Sequence, residues 1–195
     1  MLKTLAKGDL QYFIPFLICL ICFVSTEFVG IIDNSSIAYW SGRIFVEPYR
    51  IITYHFFHGD INHLLANISG IIVARFFLKA LKLRSDYFFL LFIVLMIPLQ
   101  TFISWCLDIV FYQNKMSLAI GFSGILFGVY SFILMTTLYG KKRFIFLKCA
   151  MKKDFQLFKS ILLLIGFGLI WSLTPGISLI GHISGFAAGL LLFII

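Results

Sequence analysis

The stretch Ala119-Ile-Gly-Phe-Ser-Gly-Ile-Leu-Phe-Gly128 places one small hydroxyl, Ser123, between two glycines at the start of an apolar run. Gly121 and Gly124 permit a tight backbone turn and the close approach of another chain. A serine between glycines is also common where membrane helices pack against each other. The stretch alone is therefore open to two interpretations: a contact of small residues between helices, or a reactive hydroxyl at a helix start.

The composition indicates a protein whose solvent is lipid. Of its 195 residues, 61% are hydrophobic and only 12% are charged, whereas a soluble domain carries about 25% charged residues. Six spans of about 20 residues each would leave only connecting loops. We therefore predict one domain over 1–195, an all-α membrane protein folded as a compact bundle of six transmembrane helices. The predicted spans are 13–32, 61–81, 87–111, 123–139, 160–173 and 178–195.

The distribution of basic residues predicts the orientation of this bundle. The N-terminal segment and the connections at 79–84 and 141–159 carry two, three and seven Lys or Arg residues, twelve of the 16 in the chain. The opposite side carries three, so the positive-inside rule puts the N-terminus in the cytoplasm. We interpret the net charge of +8 as a topology signal and a contact with anionic lipid, not as a nucleic-acid site.

In this topology, five polar residues come to one level near the outer face. Ser123 and His182 begin spans four and six, which both start on the outer side, and the region where span two begins carries His58, His63 and Asn67. Polar residues are costly inside a membrane and are usually functional. Their convergence favours a site over simple helix packing.

His182 opens the last span next to a stripe of glycines. Such small-residue stripes let membrane helices approach closely, and a close approach of spans four and six would bring the His182 ring to the Ser123 hydroxyl. A serine needs such a base, because its hydroxyl is a weak nucleophile at its own pKa. The glycines four residues apart are Gly181, Gly185 and Gly189 on span six and Gly124 and Gly128 on span four.

No acidic residue is predicted to orient this base. Spans four and six contain none, and only Asp60 and Asp108 lie near the right depth, both at loop or helix-end positions. We therefore predict a Ser123–His182 dyad without a carboxylate, in contrast to the usual triad. Phe127, one turn below Ser123, is expected to pack under the imidazole and hold it.

Donors for a developing oxyanion are predicted on span two. His63 and Asn67 are four residues apart on one helix face, and each can donate a side-chain N–H. The backbone N–H of Ser123, at a helix start, is a third candidate. A hydrogen bond that only joins two spans is the competing interpretation for His63 and Asn67.

Metal binding is the competing interpretation for the histidines at 55, 58 and 63. Their spacing lacks the Glu of His-Glu-x-x-His and puts no adjacent pair four residues apart. No cluster of Asp, Glu or Cys is available in the sequence to complete a zinc shell. We therefore predict no metal and no cofactor.

Taken together, these motifs resemble the rhomboid intramembrane serine proteases over about 48–189. The three motifs are Gly121-Phe-Ser-Gly124, His182 with Gly185 and Gly189, and His58-x-x-x-x-His63-x-x-x-Asn67. Each motif is weak alone, but the three together on the predicted spans are quite specific. Tyr49-Arg50 also looks like the Trp-Arg pair of the first loop in that family.

The resemblance implies a function and a role for each residue. Ser123 would be the nucleophile, His182 the general base and acid, and His63 and Asn67 the oxyanion donors, while His58 would tie the first loop to the helix. The expected substrates are transmembrane or tail-anchored proteins, cut near the outer membrane face. The expected location is the cell membrane, as a multi-pass protein of the bacterial inner membrane, with the active site on the extracytoplasmic side.

The chain departs from the family pattern at two places. Phe127 stands where the family often has Tyr, and Lys79 stands about where the family has the Glu of a Gly-x-x-x-Glu-x-x-x-Gly motif. One branch consistent with the small size is the rhombosortase type, which processes proteins with a C-terminal Gly-Gly tail anchor. The alternative function is an inactive rhomboid-like protein that binds transmembrane clients, although the presence of both Ser123 and His182 favours an enzyme.

Overall fold

The chain folds mostly into helices, as seen in a computed structural model that describes residues 7–30 and 32–195. Among these described residues, three helical segments are long and apolar enough to cross a membrane, and three further apolar helices are shorter. The long segments are α1 (Leu10–Glu27), α4 (Ile61–Ala80) and Phe88–Phe111, the last consisting of α5 (Phe88–Trp105) and a π-helical turn (Cys106–Phe111). The shorter ones are α6 (Ser123–Tyr139), α7 (Phe155–Trp171) and α8 (Leu179–Ile194).

The connection between α1 and α4 contains short elements. The short helices there are α2 (Asn34–Ile37) and α3 (Arg50–Thr53). Between them lies the strand β1 (Tyr39–Trp40), which pairs antiparallel with β2 (Leu118–Ala119) just before α6. This pairing joins the first loop to the segment that leads into Ser123.

The helix boundaries agree with four of the predicted spans and differ for two. The predicted start of the first span at 13 was late, since α1 begins at Leu10 and ends at Glu27, ahead of Gly30 with its φ of +64°. The predicted start of the fifth span at 160 was also late. The Asp154 carboxylate accepts hydrogen bonds from the backbone N–H of Gln156 and Leu157 and so starts α7 at 155. Two residues used in these predictions, Lys3 and Ile31, lie outside the described residues.

The all-α prediction needs one further correction, because the basic segment after α6 is a β-hairpin. Strands β3 (Lys141–Phe144) and β4 (Leu147–Met151) pair antiparallel. Phe144, Cys149 and Met151 are buried, while several of the intervening Lys and Arg side chains are exposed. This burial pattern fits strands with one face against the protein.

Helix α6 forms the centre of the bundle. Every residue from Gly124 to Leu134 is buried, as expected for a helix that is apolar all round. In the second half of α6, the Phe132 ring meets Phe88 and Phe92 of α5 at centroid distances of 5.2 and 5.3 Å. Phe144 of the hairpin joins this cluster, 5.1 Å from Phe88, and thereby holds the hairpin against the end of the bundle.

The connections that carry most of the basic residues meet at one end of the bundle. The backbone N–H of Arg84 donates to the Cys149 carbonyl, and that of Lys152 donates to the Leu81 carbonyl, each at 2.9 Å. Asp9, before α1, pairs with Arg75 of α4 at this same end. Because α6 runs away from Ser123 toward the hairpin, Ser123 lies at the opposite end.

Candidate active site

Two helices that start at the same end of the bundle bring Ser123 and His182 together. Ser123 is the first residue of α6, and His182 lies in the first turn of α8. The Ser178 side chain caps α8 by accepting a hydrogen bond from the Gly181 N–H. The Ser123 Oγ lies 2.8 Å from the His182 Nε2, within hydrogen-bonding distance.

Glycines let the backbones of α6 and α8 touch. A Cβ atom placed on Gly185 would lie 2.0 Å from the Gly124 carbonyl oxygen, and one on Gly189 would lie 2.0 Å from the Gly128 carbonyl oxygen. No side chain fits at either position without moving the helices apart. The two glycine stripes therefore set the separation on which the distance between Ser123 and His182 depends.

Phe127 packs against the imidazole of His182. The two rings are stacked, with centroids 4.3 Å apart and planes 18° from parallel. Behind Phe127 lies Gly168 of α7, where an added Cβ would come within 2.6 Å of the Phe127 Cζ. Phe127 is thus confined between the histidine ring and the backbone of α7.

A hydrogen bond, in addition to packing, positions the His182 ring. Its Nδ1 lies 2.5 Å from the Oγ of Ser172, the residue that follows α7, and this serine is buried. Ser172 was not predicted from the sequence, because only carboxylates were considered as partners for the His182 ring. Its sequence position could have indicated this contact, because Ser172 precedes His182 by ten residues and the Pro175-Gly176 turn lies between them.

Both carboxylates near the right depth are engaged elsewhere. Asp60 Oδ1 accepts a hydrogen bond from the His63 backbone N–H at 2.9 Å and caps α4. Asp108 is fully buried in the π-helical turn, and its Oδ2 accepts a hydrogen bond from the Tyr39 hydroxyl at 2.9 Å. Asp108 thus ties the first loop to the end of α5. The sequence predicted a loop or helix-end position for Asp108 but not that its side chain would be buried.

His63 and Asn67 lie against Gly121, two residues before Ser123. Gly121 has a φ of +119°, and its N–H donates to the Tyr54 carbonyl at 2.7 Å. A Cβ on Gly121 would lie 2.5 Å from the His63 ring and 3.5 Å from the Asn67 Nδ2. The Asn67 Nδ2 donates one hydrogen bond to the His63 carbonyl at 3.1 Å, which leaves its second proton for another acceptor.

The other two histidines point in different directions. The ring of His58 is buried and meets the ring of His63 edge-on at 5.1 Å, and within the described part of the chain neither of its nitrogens has a hydrogen-bond partner. Burial, together with the neighbouring His63, lowers the pKa of His58 to about 4. His55 faces away toward Thr101 of α5. His58 therefore supports His63 by contact, and the three histidines do not converge.

The first loop is held by a buried arginine, at the Tyr49-Arg50 pair noted in the sequence. Arg50 Nη1 donates to the carbonyls of Ala38 and Ser35 at 2.6 and 2.9 Å, and its Nε pairs with Glu47. The hydrogen bond from Arg50, aided by Arg43, lowers the pKa of Glu47. These bonds fix the loop that lies beside the site.

A cavity of about 1180 Å³ collects the predicted site residues. Ser123, His182, His63 and Asn67 all line it, together with residues from the end of α7 such as Trp171. A hydroxyl, an imidazole in contact with it and nearby N–H donors are the groups that acyl transfer requires. The arrangement is therefore chemically suited to attack on a carbonyl carbon.

Comparison with known proteins identifies the family of this chain. Residues 46–195 match the model of the Rhomboid domain, which confirms the resemblance inferred from the sequence. No curated protein matches the chain. Because the match covers most of the sequence and includes every proposed site residue, this chain belongs to the rhomboid family of integral membrane proteins.

Proposed function

We propose that this chain is an intramembrane serine endopeptidase that cleaves transmembrane or membrane-anchored proteins. The observation that carries the proposal is the 2.8 Å contact between Ser123 Oγ and His182 Nε2 in the wall of a large cavity. Membership of the rhomboid family, whose members are generally serine proteases, supports the same activity.

The first step is attack by Ser123 on the carbonyl carbon of the scissile peptide bond. As the C–O bond forms, His182 Nε2 takes the proton from the Ser123 hydroxyl, and the carbonyl oxygen becomes an oxyanion. Phe127 keeps the imidazole plane in place during this transfer, because the two rings stay stacked. The positioning of the two groups before reaction is itself a source of rate enhancement.

The oxyanion needs N–H donors close to Ser123. The backbone N–H of Ser123 has no acceptor within its own helix, because it opens α6. The side chains of His63 and Asn67, which face the cavity beside Gly121, supply further donors. Loss of one such donor costs about 2.7–4 kcal/mol of transition-state stabilisation.

The later steps use His182 first as an acid and then again as a base. His182 gives its proton to the leaving amine, the C–N bond breaks, and Ser123 stays acylated. A water molecule then attacks the ester carbon while His182 takes its proton. The acyl C–O bond to Ser123 breaks, His182 returns the proton to Ser123 Oγ, and the carboxyl product leaves. Each step uses only groups of this chain and water, so the proposed mechanism involves no metal and no cofactor.

We further propose six transmembrane spans, with the N-terminus in the cytoplasm of a bacterial cell and the dyad on the extracytoplasmic side. The meeting of the basic connections at the end opposite to Ser123 supports this orientation through the positive-inside rule. Helix α6 has 17 residues, about 25 Å at about 1.5 Å per residue, which is less than a hydrocarbon core of about 30 Å. Ser123 would then lie below the membrane surface.

Substrates must expose an unwound backbone to reach Ser123. A transmembrane helix with glycine or other helix-breaking residues near the outer face unwinds at lower cost than one rich in Ala or Leu. Transmembrane proteins with such sites and tail-anchored proteins with a Gly-Gly stretch are therefore the proposed substrate classes. The second class would correspond to the rhombosortase branch, which stays a hypothesis.

Cleavage by purified protein tests the proposal. The wild-type chain and a Ser123→Ala variant are incubated in lipid vesicles with two single-span substrates, one carrying a Gly-Gly tail anchor and one a helix-breaking site. Cleavage by the wild type that Ser123→Ala abolishes is expected, with Ser131→Ala, a buried serine of the same helix, as the active control. Equal cleavage by wild type and Ser123→Ala would overturn the mechanism, and binding of substrates without cleavage would identify an inactive client-binding protein.

A further inference from the structure

We propose that Ser172 is a positioning residue that selects the catalytically competent tautomer of His182. This inference rests on the proposed function and extends it to a residue of a third helix region. Its hydroxyl lies between the Gly168 carbonyl, at 2.6 Å, and the His182 Nδ1, at 2.5 Å. The proposed role is to hold a proton on Nδ1, so that Nε2 is left with the lone pair that faces Ser123.

The tautomer follows from the number of protons on one hydroxyl. A serine Oγ carries a single proton and two lone pairs, and the proton of Ser172 points to the Gly168 carbonyl. The Gly168 carbonyl can only accept, so the single Ser172 proton is assigned to that 2.6 Å contact. The oxygen then presents a lone pair to the His182 ring, and Nδ1 is the donor. A neutral imidazole carries one N–H, so Nε2, 2.8 Å from the Ser123 hydroxyl, is the acceptor that a general base requires.

The same hydroxyl suits the ring after it has taken a proton. An imidazolium donates from both nitrogens, and its Nδ1–H continues to donate to the Ser172 oxygen. No hydrogen bond at Nδ1 has to rearrange between the neutral and the charged state of His182. Ser172 thus has the orienting role that a carboxylate has in other serine proteases, without the carboxylate charge.

Burial makes this hydroxyl hard to replace by solvent. Ser172 is 2% exposed and His182 is 7% exposed. Loss of the hydroxyl would leave Nδ1 without its acceptor, and a buried polar group without a partner is unfavourable. The ring would then be free to populate the other tautomer, in which Nε2 carries the proton and cannot accept one from Ser123.

The position of Ser172 also links the base to the end of α7. Gly168, one turn earlier, accepts the Ser172 proton and at the same time lies against Phe127, so a single turn of α7 contacts both the Nδ1 of His182 and the ring stacked on it. Only Ile161 and Ile165 are buried along α7. The orientation of the base therefore depends on the end of a helix that buries only two of its own residues.

Nitrogen NMR reads the tautomer directly. The chain has four histidines, so protein labelled with ¹⁵N-histidine gives few signals, and a His182→Gln variant assigns those of His182. The wild type is expected to show a protonated Nδ1 and an unprotonated Nε2. Ser172→Ala is expected to show a mixture of tautomers, whereas Ser172→Thr, which keeps a hydroxyl, is expected to restore the wild-type pattern.

Reactivity of Ser123 gives the second readout. Ser172→Ala is expected to slow labelling of Ser123 by a fluorophosphonate about 10- to 100-fold, the size expected for an unsatisfied buried hydrogen bond, and Ser172→Thr is expected to recover most of the rate. Ser104→Ala is the matched control, because it removes a buried hydroxyl that pairs with Ser184 and does not touch His182. Ser104→Ala should leave both the tautomer of His182 and the labelling rate of Ser123 unchanged.

The outcomes separate this inference from the proposed function. If Ser172→Ala keeps the wild-type tautomer and the labelling rate of Ser104→Ala, the positioning role is wrong even though the protease is active. If the wild type shows the expected tautomer but is neither labelled nor able to cleave substrates, the positioning of the ring is upheld and the proposed function fails. Mixed tautomers in the wild type would overturn the inference outright.

Discussion

Helices α8 and α7 both contact the central helix α6, but they do so in different ways. Gly185 and Gly189 of α8 lie directly against the backbone of α6, and the contact runs over several turns. Along α7, only Ile161 and Ile165 are buried. At the end of α7, nevertheless, Gly168 and Ser172 reach Phe127 and His182.

The difference separates two requirements of the site. The contact of α6 with α8 sets the distance from Ser123 to the base, because any residue larger than glycine would push the two helices apart. The end of α7 sets how the imidazole is turned and which nitrogen carries the proton. A change in the first contact should therefore affect both folding and activity, whereas a change in the second should affect activity far more than stability.

Widening the contact of α6 with α8 should have the largest effect. In Gly185→Ala, the new methyl group would lie 2.0 Å from the Gly124 carbonyl oxygen, so the helices must move apart. Overpacking of this kind costs roughly 1–3 kcal/mol, and a shift of about 1 Å between reacting groups costs about 100-fold in rate. We expect a lower thermal unfolding midpoint and fluorophosphonate labelling below about 1% of wild type.

Gly166→Ala is the matched control for this variant. It is also a glycine within an apolar helix, but a Cβ at this position would meet nothing within 4 Å. Its expected effect is small and stabilising, about 0.4–1 kcal/mol, because alanine reduces the freedom of the unfolded chain. Similar behaviour of Gly185→Ala and Gly166→Ala would contradict the role of the glycine contact.

A change at the end of α7 should have an intermediate effect. In Gly168→Ala, the methyl group would come within 2.6 Å of the Phe127 Cζ, the far end of a side chain that can tilt. The stack on His182 would be disturbed while the helices stay in place. We expect labelling to fall about tenfold, the equivalent of about 1.4 kcal/mol, with little change in the unfolding midpoint. A fall in stability as large as that of Gly185→Ala would remove the distinction between α7 and α8.

A contact far from both helices should have the smallest effect. The hydrogen bond from Arg75, followed by that from Lys79, lowers the pKa of Asp9 from its usual 3.8 to about 2. A carboxyl with a lowered pKa contributes stability above its usual pKa, and that contribution disappears as the pH falls toward 2. We therefore expect Asp9→Asn to lose at most about 1 kcal/mol at neutral pH, with unchanged labelling.

Measurement of unfolding at several pH values checks whether the stability contributed by Asp9 falls as the pH falls. The difference between wild type and Asp9→Asn should shrink between pH 4 and pH 2, and Glu27→Gln, at the exposed far end of α1, should differ little from wild type throughout. A difference that grows on acidification would show that Asp9 is not held in its charged form by Arg75 and Lys79.

Much of the fold could be predicted because lipid makes long apolar runs conspicuous. Helix α6 begins and ends where it was predicted, since Gly121 and Gly140 mark its two ends with positive φ. The β-hairpin was missed because its short alternation of buried and exposed residues is hidden among lysines. The early start of α7 was missed because the lysines up to Lys159 are typical of a loop, although Asp154 supplies the cap.

The site was predictable where spacing alone decides the geometry. His63 and Asn67, four residues apart, had to share a face of α4, and the glycines four residues apart had to form a stripe. Ser172 could not be found in this way, because its partner depends on how the turn at Pro175-Gly176 brings α7 back to α8. The burial of Asp108 and the anchoring of Arg50 likewise depend on tertiary contacts between distant segments.

A double-mutant comparison tests most directly whether Ser123 and His182 act as one catalytic unit. Cleavage of a single-span substrate is measured for Ser123→Ala, His182→Ala and the variant carrying both changes. Residues that act as a unit are strongly non-additive. We predict the same residual rate for all three variants, far below wild type. A double variant slower than either single variant by the product of their losses, or wild-type cleavage by either single variant, would contradict the dyad.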